Sequence, residues 1–205
     1  MSEKKNPKIA KINLALYLCL CLASLHPVSA QDVYAIDPNQ STIGFAVKHM
    51  VISTVYGKFT DYGGTIFLDE ADLTKSSVKI TIRAGSINTE VPKRDNDLRS
   101  ANFLDASKYP DITFYSHRVW RQEDKYLLSG ELSMHGVTKK VTIPFKYNGK
   151  TKDLMGNSRV AVEGSLTIDR RDWGITYSKV LDDGGLVAGN DVKITLDIEA
   201  VKKQK

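Results

Sequence analysis

The sequence predicts an all-β protein of about eight long antiparallel strands, wrapped into a barrel and interrupted by one short helical insertion. Three observations predict it. Apolar and polar residues alternate with a period of two through most of residues 33–199, the spacing of a strand with one face turned inward. Most links are hairpin-sized, which favours antiparallel neighbours. Several alternating runs reach about ten residues, and Gly57, Gly63 and Gly64 give them places to bend. A sandwich fits the same pattern, but strands this long favour a barrel.

Each element has its own signature. Val33 to Asp37 is a short opening strand, stopped by the turn Asp37-Pro38-Asn39. Ser41 to His49 follows, with Ile43, Phe45 and Val47 on one face. After an irregular link at Met50 and Val51, alternation resumes from Ile52 to Asp69 as one long strand. Glu70 to Lys75 is polar and suits a helical turn capped by Asp69 or Asp72. Ser77 to Ala84 places Val78, Ile80 and Ile82 opposite Lys79, Thr81 and Arg83. From Ser86 to Lys108 the alternation fails. Arg94 to Asn102 can form a short helix anchored by Leu98, an insertion suited to closing one barrel end. Strands resume at Asp111–Val119, Lys125–His135, Val141–Tyr147, Val160–Ile168 and Val192–Ile198. Pro144 cannot donate to a ladder, so it marks a bulge or an unpaired edge. Asp169 to Gly174 turns a corner, and Ile175 to Gly189 reads as a flexible loop.

Residues 1–30 read as a cleaved secretory signal. Lys4, Lys5, Lys8 and Lys11 precede an apolar run from Ile12 to Leu25, and Val28-Ser29-Ala30 offers a cleavage site after Ala30. The run is short for a membrane span. Losing these four lysines and one glutamate lowers the formal net charge from +5 to +2, so the basic balance argues for no nucleic-acid partner. Both cysteines, Cys19 and Cys21, leave with the signal. Residues 31–205 then form one domain without disulfides or thiol chemistry.

Reactive constellations are sparse. His49, His117 and His135 have no metal-ligand spacing to one another, and no metal or cofactor is expected. No G-x-S-x-G motif is present, and the glycines at 184, 185 and 189 precede neither a lysine nor a helix. Asp95, Asp97, Arg99, Asp105 and Asp111 suit capping and loop pairing better than acid–base work. Arg170-Arg171-Asp172-Trp173-Gly174 suits a corner locked by an arginine stacked on the tryptophan.

The inward face is what remains. Phe45, Val47, Phe59, Ile80 and Ile82 lie on the first strands. Phe114, Leu132, Phe145, Leu166 and Leu196 continue the apolar face around the sheet. An eight-stranded barrel is either just filled by such side chains or holds one ligand. Gly44, Ala46, Gly130 and Gly164 are candidates for opening the space. A slender apolar tunnel suits a linear hydrocarbon, at about 0.8 kcal/mol per buried methylene.

The chain resembles the YceI-like family of exported bacterial proteins. The stretches that carry the resemblance include YAIDPNQSTIGFAVKHM, VYGKFTDYGGTI, RDNDLRSANFLDASKYPDITF, GELSMHGVTKKVTI and IDRRDWGITY, across Tyr34 to Lys202. Asp97 stands where the family's D-x-H-L run usually has histidine, which weakens any metal or acid–base role there. The resemblance implies an extended lipocalin-like barrel, a periplasmic location and a polyisoprenoid or similar long-chain lipid in an apolar tunnel. It implies a carrier, with an enzyme acting on such a lipid or a stress-related binding protein with a filled core as the alternatives, and with transient membrane contact and a homodimer among its expectations. The apolar wall would then extend to Leu98, Phe103 and Trp173, with Arg99, His135 and Arg171 at the rim for the lipid head.

Overall fold

The computed structural model describes residues 31–180, 184 and 186–204; the expected signal segment lies outside them. Its strands are β1 (Asp32–Ile36), β2 (Thr42–His49), β3 (Ser53–Phe59), β4 (Tyr62–Leu68), β5 (Ser77–Arg83), β6 (Ile87–Asn88), β7 (Asp111–Gln122), β8 (Lys125–Met134), β9 (Val137–Lys152), β10 (Ser158–Asp169) and β11 (Ala188–Lys202). All join one antiparallel sheet that closes by pairing β1 with β11. The eleven segments reduce to eight staves, because three staves are each kinked into two segments. β1 and β2 both run along β11, with Ile36 opposite Ala200 and Thr42 opposite Asp197. β4 and β3 follow them, and β5 and β6 follow those in turn.

The expected single strand over Ile52–Asp69 is therefore broken. Its middle turns to a different partner: the Thr60 N–H donates to the Ser86 carbonyl (3.2 Å) and the Arg83 N–H to the Asp61 carbonyl (2.9 Å). The expected helix over Arg94–Asn102 is instead α1 (Pro92–Arg99). Proline suits its first turn, where an N–H would lack a partner anyway. Pro144 lies one residue beyond Phe145, whose pairing with Gly164 ends the β9–β10 ladder, so it interrupts no bond on that side.

Past that point β9 and β10 separate, and the short 3-10 turn Arg170–Trp173 packs against both. Trp173 is buried there, and its indole N–H donates to the Leu132 carbonyl at 3.1 Å.

One half of the barrel is solid. Tyr34, Ile36, Tyr62, Leu68, Val160, Ile198 and Ala200 meet in its centre. The two phenols reach out to polar partners, Tyr34 donating to Glu70 (3.0 Å) and Tyr62 to the Ser41 carbonyl (2.6 Å). Burial, above all, pushes both phenol pKa values up. Outside, Arg159 braces three segments by donating to Asp37 (2.9 Å), Asp153 (2.9 Å) and Glu199 (2.6 Å). Hydrogen bonds from Arg159 and Asn157 lower the Asp153 pKa from 3.8 to about 2.

This carboxylate stabilises the fold fully above the unfolded-state value and loses that contribution as pH falls through the folded one. The stability difference between wild type and Asp153→Asn should thus be constant near neutrality and shrink between pH 3.8 and about 2. Urea denaturation across that range measures it. A difference unchanged at acid pH would show that the ion pair is not its source.

Candidate functional site

The other half of the barrel is hollow. A cavity of about 680 Å³ runs down its axis, walled by every stave. At about 30 Å³ per water-sized group, that is room for roughly twenty methylenes. Its deep end meets the solid half at Ile43, Ile80 and Leu196. Its polar lining gathers at the opposite end, where Lys48 and His49 close β2, α1 presents Lys93, Arg94 and Asp97, and Arg170 follows β10.

Inward parity places Phe45, Val47, Phe59, Ile80, Ile82, Phe114, Leu132, Leu166 and Leu196 on the wall, and α1 and its following loop add Leu98 and Phe103. Ile143, Met134, Val192 and Ile194 also contribute. Phe145 and Trp173 are not on the wall. Phe145 packs on Tyr126, with ring centroids 5.6 Å apart, and Trp173 fills the separation of β9 from β10.

The small residues do not open the space. Gly44 borders the cavity only through its backbone, because its parity, like that of Ala46, is opposite to that of Ile43, Phe45 and Val47. Gly130 and Gly57 receive aromatic rings: a Cβ on Gly130 would stand 2.6 Å from the Phe114 ring, and one on Gly57 2.3 Å from Phe45. The inward glycines make room for aromatic rings close against the sheet.

None of the three expected rim residues lines the cavity. Arg99 donates to the Gly85 and Ile87 carbonyls, both at 2.7 Å, and so ties α1 to the kinked third stave. The His135 Nδ1 lies 2.9 Å from the Trp173 carbonyl, with its ring against Tyr109. Arg171 pairs with its neighbour Asp169 on the outside, and that pairing lowers the Asp169 pKa to about 2.

The cations that do reach the cavity were legible only in part. Arg94 stands one helical turn before Leu98, so the anchor's own face points to it. Arg94 donates to the Thr89 hydroxyl (2.7 Å) and carbonyl (3.0 Å), and Asp95 accepts from the Thr89 N–H (2.8 Å), which fixes the start of α1.

Nothing in the sequence separates Arg170 from Arg171. Yet Arg170 is buried and donates to five neutral oxygens: the carbonyls of Ile175, Tyr177, Ala188 and Gly189, and the Asn190 side chain. Burial pushes its pKa down. It lies over the Phe103 ring at 5.8 Å, rather than the Trp173 ring that the sequence suggests.

A hairpin loop flanks the mouth between β2 and β3. Met50 and Val51 adopt positive φ angles of 50° and 65°. Side chains of this kind are strained there, at about 1–2 kcal/mol per residue. The Met50 N–H donates to the Val187 carbonyl at 3.0 Å, holding the loop beside the start of β11.

The cavity residues and α1 all fall within residues 34–200, the span that matches the family described as YceI-like domain. A UPF0312 protein of Pseudomonas aeruginosa is 36% identical over 197 residues, covering 95% of this chain and all of that one. The crystal structure of a Campylobacter jejuni YceI protein superposes with a TM-score of 0.66 at 30% identity, covering 77% of this chain and 90% of that one. A polyisoprenoid binding domain from Saccharophagus degradans shares the fold with a TM-score of 0.61 at 16% identity, over 83% of this chain and 98% of that one. With a barrel hollow at one end, capped by one helix and matched along nearly its whole described length, the chain belongs to the YceI-like family.

Proposed function

We propose that this protein binds and carries a polyisoprenoid or similar long-chain lipid, tail inward, in the hollow half of its barrel. The observation that carries this reading is the cavity: about 680 Å³ with an apolar wall and its ionisable groups confined to one end. A tail of roughly twenty carbons fits inside at about 30 Å³ per group. The head meets Lys48, Lys93 and Arg94 at the mouth, a set with excess positive charge over Asp97. The binding attributed to the Saccharophagus degradans domain supports the isoprenoid class.

Carriage rather than catalysis is favoured by the interior. Among the described residues, its wall below the mouth offers no acid, base or nucleophile to a buried chain. The signal-like segment supports a periplasmic site of action.

Protein recovered from its own periplasm should carry one extractable long-chain lipid by mass spectrometry. Leu166→Trp places an indole in the cavity from the wall of β10. It should weaken binding of a fluorescent long-chain fatty acid at least about tenfold, the equivalent of about two lost methylenes, while the protein stays folded. Wild-type protein that yields no lipid and takes up no probe would sink the proposal.

A further inference from the structure

The loop beside the mouth holds three consecutive apolar side chains in water. Met50, Val51 and Ile52 are 41%, 61% and 87% exposed. Val180, 68% exposed, belongs to the adjoining edge, where Val187 accepts from Met50 and donates to the Lys179 carbonyl at 2.9 Å. Such side chains do nothing for the barrel's core. Met50 and Val51 also sit where asparagine and glycine are the favoured residues, because both have positive φ. Backbone strain and exposed apolar surface thus coincide at one spot on the lip, and strain of this kind gathers at functional sites.

Among the described residues, the surroundings are basic. Lys48 precedes the loop, Lys93 stands across the mouth on α1, and Lys179 borders Val180. All three are exposed, and none pairs with a carboxylate among the described residues. Asp97 is the acidic residue lining the same mouth. An apolar tip ringed by lysines complements a bilayer with anionic headgroups.

We propose that the β2–β3 loop is a membrane-docking lip. Met50, Val51 and Ile52 enter the interfacial layer of an anionic bilayer, Lys48, Lys93 and Lys179 contact its headgroups, and the cavity mouth faces the lipid. The inference builds on the lipid-carrier reading, because docking gives the cavity access to its cargo, but the two are tested separately.

The experiment is flotation with phosphatidylcholine vesicles, with and without phosphatidylglycerol, alongside fatty-acid-probe binding in vesicle-free buffer. Wild type should float with the anionic vesicles, less with neutral ones and less at high salt. A triple variant, Met50→Asn with Val51→Gly and Ile52→Ser, should partition at least about tenfold more weakly. Its Tm should equal or exceed that of wild type, because the strained positions receive suitable residues. Probe binding should be unchanged.

Wild type that binds the probe but ignores both vesicles overturns the lip and leaves the carrier. Wild type that floats through the lip but takes up no probe keeps the lip and removes the carrier. A triple variant that floats like wild type overturns the lip. So does a wild-type dimer made monomeric by the variant with vesicle binding unaltered, since the loop would then dock on a second copy.

Discussion

Trp173→Ala is expected to destabilise the fold by about 3–5 kcal/mol, the cost of deleting a large buried aromatic. Trp173 is 2% exposed and stands where β9 and β10 part. Its loss would leave a void between two strands that no ladder joins, and would remove the hydrogen bond that its N–H gives the Leu132 carbonyl. Leu166→Ala, by contrast, trims a side chain that already borders the cavity, and should cost only about 1 kcal/mol. Urea denaturation of both variants separates wall from core. Near-equal losses would mean that Trp173 faces the cavity after all.

Arg170→Met should cost about 3 kcal/mol or more through its abandoned oxygens, at about 1–3 kcal/mol for each one left buried. The figure stays well below the full sum because segment 175–180 can relax toward water. The cation matters here through geometry: five N–H groups in one planar fork meet five acceptors. Arg170→Lys should therefore recover little, since an ammonium has three donors and no fork. Amide exchange should rise at Ile175, whose N–H donates to the Arg170 carbonyl and whose own carbonyl accepts from this side chain. A lysine variant as stable as wild type would refute the fork.

The eight-stave barrel was legible because period-two alternation survives every kink. Ile43, Phe45 and Val47 keep their parity on β2 whether or not the stave is broken at residues 37–41. The breaks themselves were not legible. Thr60 and Asp61 alternate like their neighbours, and only their bonds to Ser86 and Arg83, over twenty residues on, end the strand.

The apolar residues that border the cavity follow the same alternation. Phe145 shows where alternation stops informing: it keeps the parity of Ile143, but the cavity ends short of it. Rim residues follow no period. Arg99 and Arg171 each spend their charge on a local partner, and sequence gives no sign of such private bonds. Gly130 was misjudged because a missing side chain leaves room for a neighbour as readily as for a guest.

The plug formed around Tyr34 and Tyr62 has a consequence for traffic. A vessel sealed at its base has a single door, so a guest leaves by retracing its arrival, and whatever came in last goes out first. The buried tip of any cargo is then the final part to be surrendered. The packed half of the barrel can hold its shape while the other half stands empty.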